Sequence, residues 1–235
     1  MIRRTALVAA VTLAACADLT ESEGGVGSLT VFVPSPAEIE VDQTVQLQAV
    51  ARSGSGDTLD LPVVWLGLDS TLAVDSTSGR ITGRFSGSGR LVARAADFYS
   101  DIVTFTVLAR VDTVIRVGAD TQTVAAADSL STELTVRLEG GSPAAPVGGR
   151  RIVYDIVSPV FADTAARTVE FQSGGLQARP SSASTGSPQP APVLRRIAGR
   201  TAPDSAVVVV NVYRPAGGGA VPGSGQQFIV RFATP

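Results

Sequence analysis

The chain reads as all-β, with two tandem antiparallel β-sandwich domains behind a short leader. Three observations predict this. From Leu29 onward apolar residues recur at every second position in short runs, the signature of half-buried strands. Gly, Pro, Asp and Ser punctuate these runs at the close spacing expected of sandwich turns. No stretch after the leader carries the 3.6-residue apolar stripe of an amphipathic helix.

The leader, residues 1–15, has a basic start with Arg3 and Arg4, an apolar run from Thr5 to Val11, and a small-residue approach of Leu13, Ala14 and Ala15. This is the layout of a secretory signal peptide, and the run is too short to cross a hydrocarbon core of about 30 Å. It is also apolar on all sides, where a buried helix of a soluble domain would keep a polar face. The four residues Leu13-Ala14-Ala15-Cys16 resemble the lipobox of bacterial lipoproteins. The resemblance implies cleavage between Ala15 and Cys16 and lipidation of Cys16 by a diacylglyceryl group and an N-terminal acyl chain, palmitate among them. Each buried methylene contributes about 0.8 kcal/mol, so two or more chains anchor stably where one does not. Ala17 follows the cysteine and Asp18 comes one position later. In such lipoproteins an aspartate directly after the cysteine is the inner-membrane retention signal, so the resemblance implies the outer membrane.

Removal of residues 1–15 takes Arg3 and Arg4 away and leaves 220 residues with 17 basic and 21 acidic groups, a net charge of −4. A mildly acidic chain lacks the electrostatic footprint of a nucleic-acid binder. Every basic residue is arginine, and lysine and histidine are absent. Lysine nucleophiles, the Ser-His-Asp arrangement and zinc sites built on His are thereby excluded. Cys16 is the only cysteine, so no intrachain disulfide forms. The composition points away from an enzyme, a metal and a cofactor.

Residues 16–28 comprise the lipidated cysteine and a polar, Gly-rich tether, whose flexible reach is on the order of 20 Å. The first domain is expected over 29–108. Its clearest strand is "TVQLQAVARS", with Val45, Leu47, Ala49 and Ala51 on one face and Gln46, Gln48 and Arg52 on the other. Further strands are read at 29–33, 63–67, 89–95 and 101–107. The order "LTVFVPSPAEIEVDQTVQLQA", Trp65, "LAVDSTSGRITG" and "GSGRLVARA" resembles the bacterial immunoglobulin-like domains of group 2. In that family "A-V-D…G-x-I-T-G" turns between two strands, matched here by Ala73, Val74, Asp75, Gly79, Ile81, Thr82 and Gly83. Asp42-Gln43 in place of a glycine turn, and Leu66-Gly67-Leu68 in place of a serine stretch, depart from the pattern in loops only.

After a joint at residues 109–111, a second immunoglobulin-like sandwich is expected over 111–235. It is read from "STELTVRLEG" (131–140), "RRIVYDIVSP" with Ile152, Tyr154 and Ile156 alternating, and strands at 168–172, 193–199, 205–215 and 226–232. "GSPAAPVGGRRIVYDIVSP" faintly resembles the start of invasin-type immunoglobulin-like domains. The Ser/Pro/Ala/Gly-rich segment 173–192 is too polar to offset its ordering entropy and is expected as a mobile loop inserted in this domain.

Carboxylates remain the candidates for chemistry. Glu38 with Glu40 and Asp57 with Asp60 sit at spacings that fit neither a calcium loop nor a glycosidase pair, and both are read as solvated surface. Trp65, in the strand where such sandwiches bury a tryptophan, is read as core against Leu47, Ala49, Leu91 and Ala93, with a sugar platform as the alternative. Tyr99 and Tyr213 are the remaining candidate contact aromatics. The expected function is a non-enzymatic, outer-membrane lipoprotein that binds an envelope or cell-surface protein, adheres or spaces. The alternatives are a carbohydrate-binding module, weakened by an aromatic content of 5%, or an accessory subunit of a cell-envelope complex.

Overall fold

The structure, a computed structural model, describes residues 25–162, 166–172, 181–182, 191–201 and 203–233. No helix occurs among the described residues, and all regular structure is strand. The leader, Cys16 and most of the tether lie outside them.

The first half supplies β1 (Val26–Phe32), β2 (Glu38–Glu40), β3 (Thr44–Gln46), β4 (Gln48–Ser53), β5 (Thr58–Leu59), β6 (Val63–Gly67), β7 (Leu72–Val74), β8 (Arg80–Gly83), β9 (Gly87–Ala95), β10 (Phe98–Tyr99) and β11 (Val103–Leu108). β3 and β4 are one chain segment interrupted at Leu47, whose amide donates to the Gly79 carbonyl at 3.1 Å. One sheet then runs β1 on β4, β3 on β8 and β8 on β7, all antiparallel. The other runs β2 parallel to β11, β11 on β9 and β9 on β6. Lettered in chain order, these are the ABED and CFG sheets of the immunoglobulin sandwich, the second extended by a parallel first-strand segment. Side chains from both inner faces meet in a core that includes Ile39, Leu47, Trp65, Ile81, Leu91 and Phe105.

The second half repeats this order with β12 (Thr113–Arg116), β13 (Thr121–Val124), β14 (Val136–Gly140), β15 (Ala145–Pro146), β16 (Ile152–Ser158), β17 (Val169–Gln172), β18 (Ser181–Ser182), β19 (Val193–Arg196), β20 (Ser205–Val212) and β21 (Gln226–Phe232). β12 pairs with β14 and β17 with β19. The chain ahead of β14 joins these pairs, because Ser131 and Leu134 donate backbone bonds to Leu194 and Pro192. β13 lies parallel to β21, which pairs with β20, which pairs with β16. β20 shows why the sequence folds so: Ala206, Val208, Val210 and Val212 point inward and are fully buried, while the residues between them are partly exposed. A second core, including Val114, Leu134, Tyr154, Phe171, Leu194 and Phe228, fills this sandwich.

Two local expectations change. The strand read over 131–140 is regular only from Val136, since its first half bonds irregularly to the chain around β19. β16 buries both faces at its start: Val153 is buried along with Ile152 and Tyr154, on the side that meets the first sandwich.

Candidate functional site at the junction of the sandwiches

Glu40 ends β2 at the bottom of the first sandwich, next to the joint, and is 0% exposed. The expectation of a solvated surface carboxylate is corrected here. Arg150, just before β16, donates Nε–H to Glu40 Oε1 at 3.0 Å, and Arg214, just after β20, donates from Nη1 to Glu40 Oε2. Both arginines also hold the joint, Arg150 through the Ala109 carbonyl and Arg214 through the Val111 carbonyl at 3.1 Å. Burial came from a partner sandwich rather than from the strand's own period, so alternation could not reveal it. A buried carboxylate with both oxygens engaged by guanidinium groups is the arrangement in which desolvation is compensated.

Around this cluster the two sandwiches fit closely. Gln43 accepts the Glu40 amide through Oε1 at 2.9 Å and donates Nε2–H to the Pro215 carbonyl at 2.6 Å. Arg110, in the joint, pairs with Asp42 at 3.2 Å and Asp112 at 2.8 Å. One glycine permits the approach of the second sandwich to the joint: a Cβ on Gly140 would stand 2.0 Å from the Arg110 carbonyl oxygen. Within the first sandwich, a Cβ on Gly83 would stand 2.5 Å from the Glu40 carbonyl oxygen, so β8 packs closely on the strand that carries Glu40. Val111 itself is fully buried, so the joint is packed chain rather than free linker.

The other candidates lie apart from one another. Trp65 is 4% exposed, in the first core with Leu47, Leu91 and Ala93, and its indole covers Gly79. Gly79 has φ +73°, and a Cβ there would come 2.6 Å from the indole Cε2 and Nε1. Asp75 starts the same turn and accepts the Thr77 and Ser78 amides, each at 3.0 Å; these bonds hold its carboxyl below the usual range. Glu38 lies two residues from Glu40 and is half-exposed, while Asp57 and Asp60 are exposed on either side of β5. Tyr99 and Tyr213 are each 52% exposed, Tyr99 at the upper end of the first sandwich and Tyr213 at the junction. Of segment 173–192, Ser181–Ser182 pairs with Val153 and Tyr154, and Ala191 and Pro192 are buried; the rest lies outside the described residues. Ala15 and Cys16 lie outside them too. Among the described residues no group of three or more His, Cys, Asp or Glu is placed to hold a metal.

Beside the cluster a cavity of about 330 Å³ opens between Glu38 and Leu108 of the first sandwich and Arg150, Arg151, Tyr213 and Arg214 of the second. Arg151, Glu38 and the Tyr213 hydroxyl make no ion pair or side-chain hydrogen bond among the described residues. The junction therefore offers a recess lined by both sandwiches, an aromatic face and polar groups without side-chain partners among the described residues.

No protein-family model and no curated protein matches the chain. Among solved structures it is similar to the Yersinia pseudotuberculosis adhesin InvE, at 14% identity over 90% of this chain and 61% of that one, with a TM-score of 0.38. It is also similar to fibronectin(III)-like modules of Clostridium thermocellum CbhA, at 15% identity over 87% and 94%, with a TM-score of 0.38. Domains 4 and 5 of the S-layer protein SbsC align at 13% identity over 88% and 98%, with a TM-score of 0.33.

Proposed function

We propose that the protein is a non-enzymatic outer-membrane lipoprotein whose group 2 and second immunoglobulin-like domains form a stiff arm, holding a binding surface at a set distance from the membrane. The observation that carries the reading is the buried Arg150–Glu40–Arg214 cluster, which ties both sandwiches and both sides of the joint together. Independent domains on a loose linker move relative to one another by default, and an arm that spaces must suppress that motion. Arg150 precedes β16 at the junction, so β16 runs away from it and delivers Val157 and Val160 to the far end of the arm. Val160 is 84% exposed, and Leu130 and Val157 are also exposed. Such an apolar tip suits an envelope or cell-surface protein partner.

The test is the distance between the sandwiches in the full chain carrying Cys16→Ser, spin-labelled at Thr58→Cys and Arg231→Cys, two exposed positions on different sandwiches. Pulsed dipolar spectroscopy should return one narrow distribution. A broad one would remove the spacing reading. The anchor is tested separately: Cys16→Ser should abolish detergent partitioning of the exported chain, and retained partitioning would remove the lipoprotein reading.

A further inference from the structure

The cavity beside the Glu40 cluster carries charge as well as shape. Arg150, Arg151 and Arg214 face it with Glu38, and Glu40 beneath offsets one of the guanidinium groups, which leaves the site net positive in a chain that is net negative. Arg150 and Arg214 are spent on Glu40 and on backbone carbonyls, whereas Arg151 is exposed and makes no ion pair among the described residues. The half-exposed ring of Tyr213 adds a flat apolar surface with a polar tip. The volume, about 330 Å³, lies at the small end of ligand sites and suits a single ring-sized group.

An extended peptide would need an unpaired strand edge to add to. The cavity offers none. The outward amides of β2 are taken, that of Glu38 by the Pro36 carbonyl and that of Glu40 by Gln43 Oε1, both at 2.9 Å. At Val153 and Tyr154 the edge of β16 is occupied by β18. What remains is recognition of a compact polar ring through one carboxylate, several hydroxyls and one apolar face.

We propose that this cavity binds an acidic sugar residue, a pyranose bearing one carboxylate. Arg151 holds the carboxylate by a charge-assisted bond, Tyr213 lies against the ring face, and Glu38 accepts hydroxyl protons. Both walls must be in register, so the proposal rests on the fixed junction and is independent of the lipid anchor.

The experiment is calorimetric titration of the full chain with oligogalacturonate, with a neutral cello-oligosaccharide and an acidic peptide as comparisons. Saturable binding of oligogalacturonate is expected, with Arg151→Ala and Tyr213→Ala each weakening it about tenfold or more, the scale of one lost charge-assisted or aromatic contact. The cello-oligosaccharide should bind at least about tenfold more weakly for want of the carboxylate. Arg151 and Tyr213 are exposed and make no bond to Glu40, but they adjoin Arg150 and Arg214 in the chain, so melting and the interdomain distance are measured on both variants: unchanged values separate loss of the site from loss of the arm. Absence of oligogalacturonate binding, equal binding of the neutral sugar, or indifference to both substitutions would overturn the proposal. So would peptide binding as tight as that of the sugar and insensitive to Tyr213→Ala.

Discussion

At Gly79 a methyl group has no room. The residue combines a left-handed φ with an indole lying across it, so Gly79→Ala meets both backbone strain and the Trp65 ring. Gly56, at φ +94° with open space around it, meets strain alone. Chemical denaturation should therefore give a loss of about 1 kcal/mol for Gly56→Ala and clearly more, about 3 kcal/mol, for Gly79→Ala. Equal losses would mean that the indole is not fixed there. Tyr154 gives a residue-scale prediction in pH. It is buried edge-on to Phe171, with centroids 6.3 Å apart, and burial pushes its phenol well above the ordinary value of 10.0. Between that value and the higher folded one the unfolded state holds fewer protons, so stability present below it is lost as pH rises. Tyr154→Phe should flatten this alkaline fall in a melting series, and an unchanged slope would assign the fall elsewhere. The turn motif around Asp75 and Gly79 was legible in the sequence as residues, but its cause was not. The glycine is required by a tryptophan from another strand, and only the folded packing brings the two together.

Among the elements, strands that alternate over their own length were legible. β20 and the β3–β4 segment obey period 2 because each lies between one core and solvent. The strand read ahead of β14 was less so, because it changes partners partway and its first half bonds to the chain around β19. The parallel pairings of β2 with β11 and β13 with β21 left no mark in the sequence, since neither three- or four-residue strand is long enough to show a period. By composition segment 173–192 is one polar loop, yet its last two residues are buried and Pro192 accepts the Leu134 amide at 3.0 Å. Replacing residues 173–190 with a short Gly-Ser link should shift melting by only a few degrees, since β18 contributes just two paired residues. Carrying the deletion through Pro192 removes a core contact and a backbone bond, which for a domain of this size should lower melting by at least about 4 °C. If both deletions melt alike, the buried end of the segment does not support the core.

At the scale of the whole molecule the deciding residue is one that sequence reading placed on the surface. Glu40 meets Arg150 and Arg214 across separations of 110 and 174 residues, so no local period, motif or charge pattern could announce the contact. The cluster also sets what can be expected of substitutions. Glu40→Ala leaves two guanidinium groups facing a buried space without their carboxylate, and breaking a buried pair in this way costs about 3 to 5 kcal/mol. Glu40→Leu combined with Arg150→Met and Arg214→Met removes the charges together, an exchange that is often neutral for stability when volume is kept. The triple variant also gives up the bonds to the Ala109 and Val111 carbonyls, and with them the clasp on the joint. Glu40→Ala should therefore lower stability and broaden the distance distribution between labels on the two sandwiches, whereas the triple variant should keep most of the stability and still broaden it. A triple variant that kept the narrow distribution would show that apolar packing at the junction fixes the arm, with the charges serving only to satisfy one another.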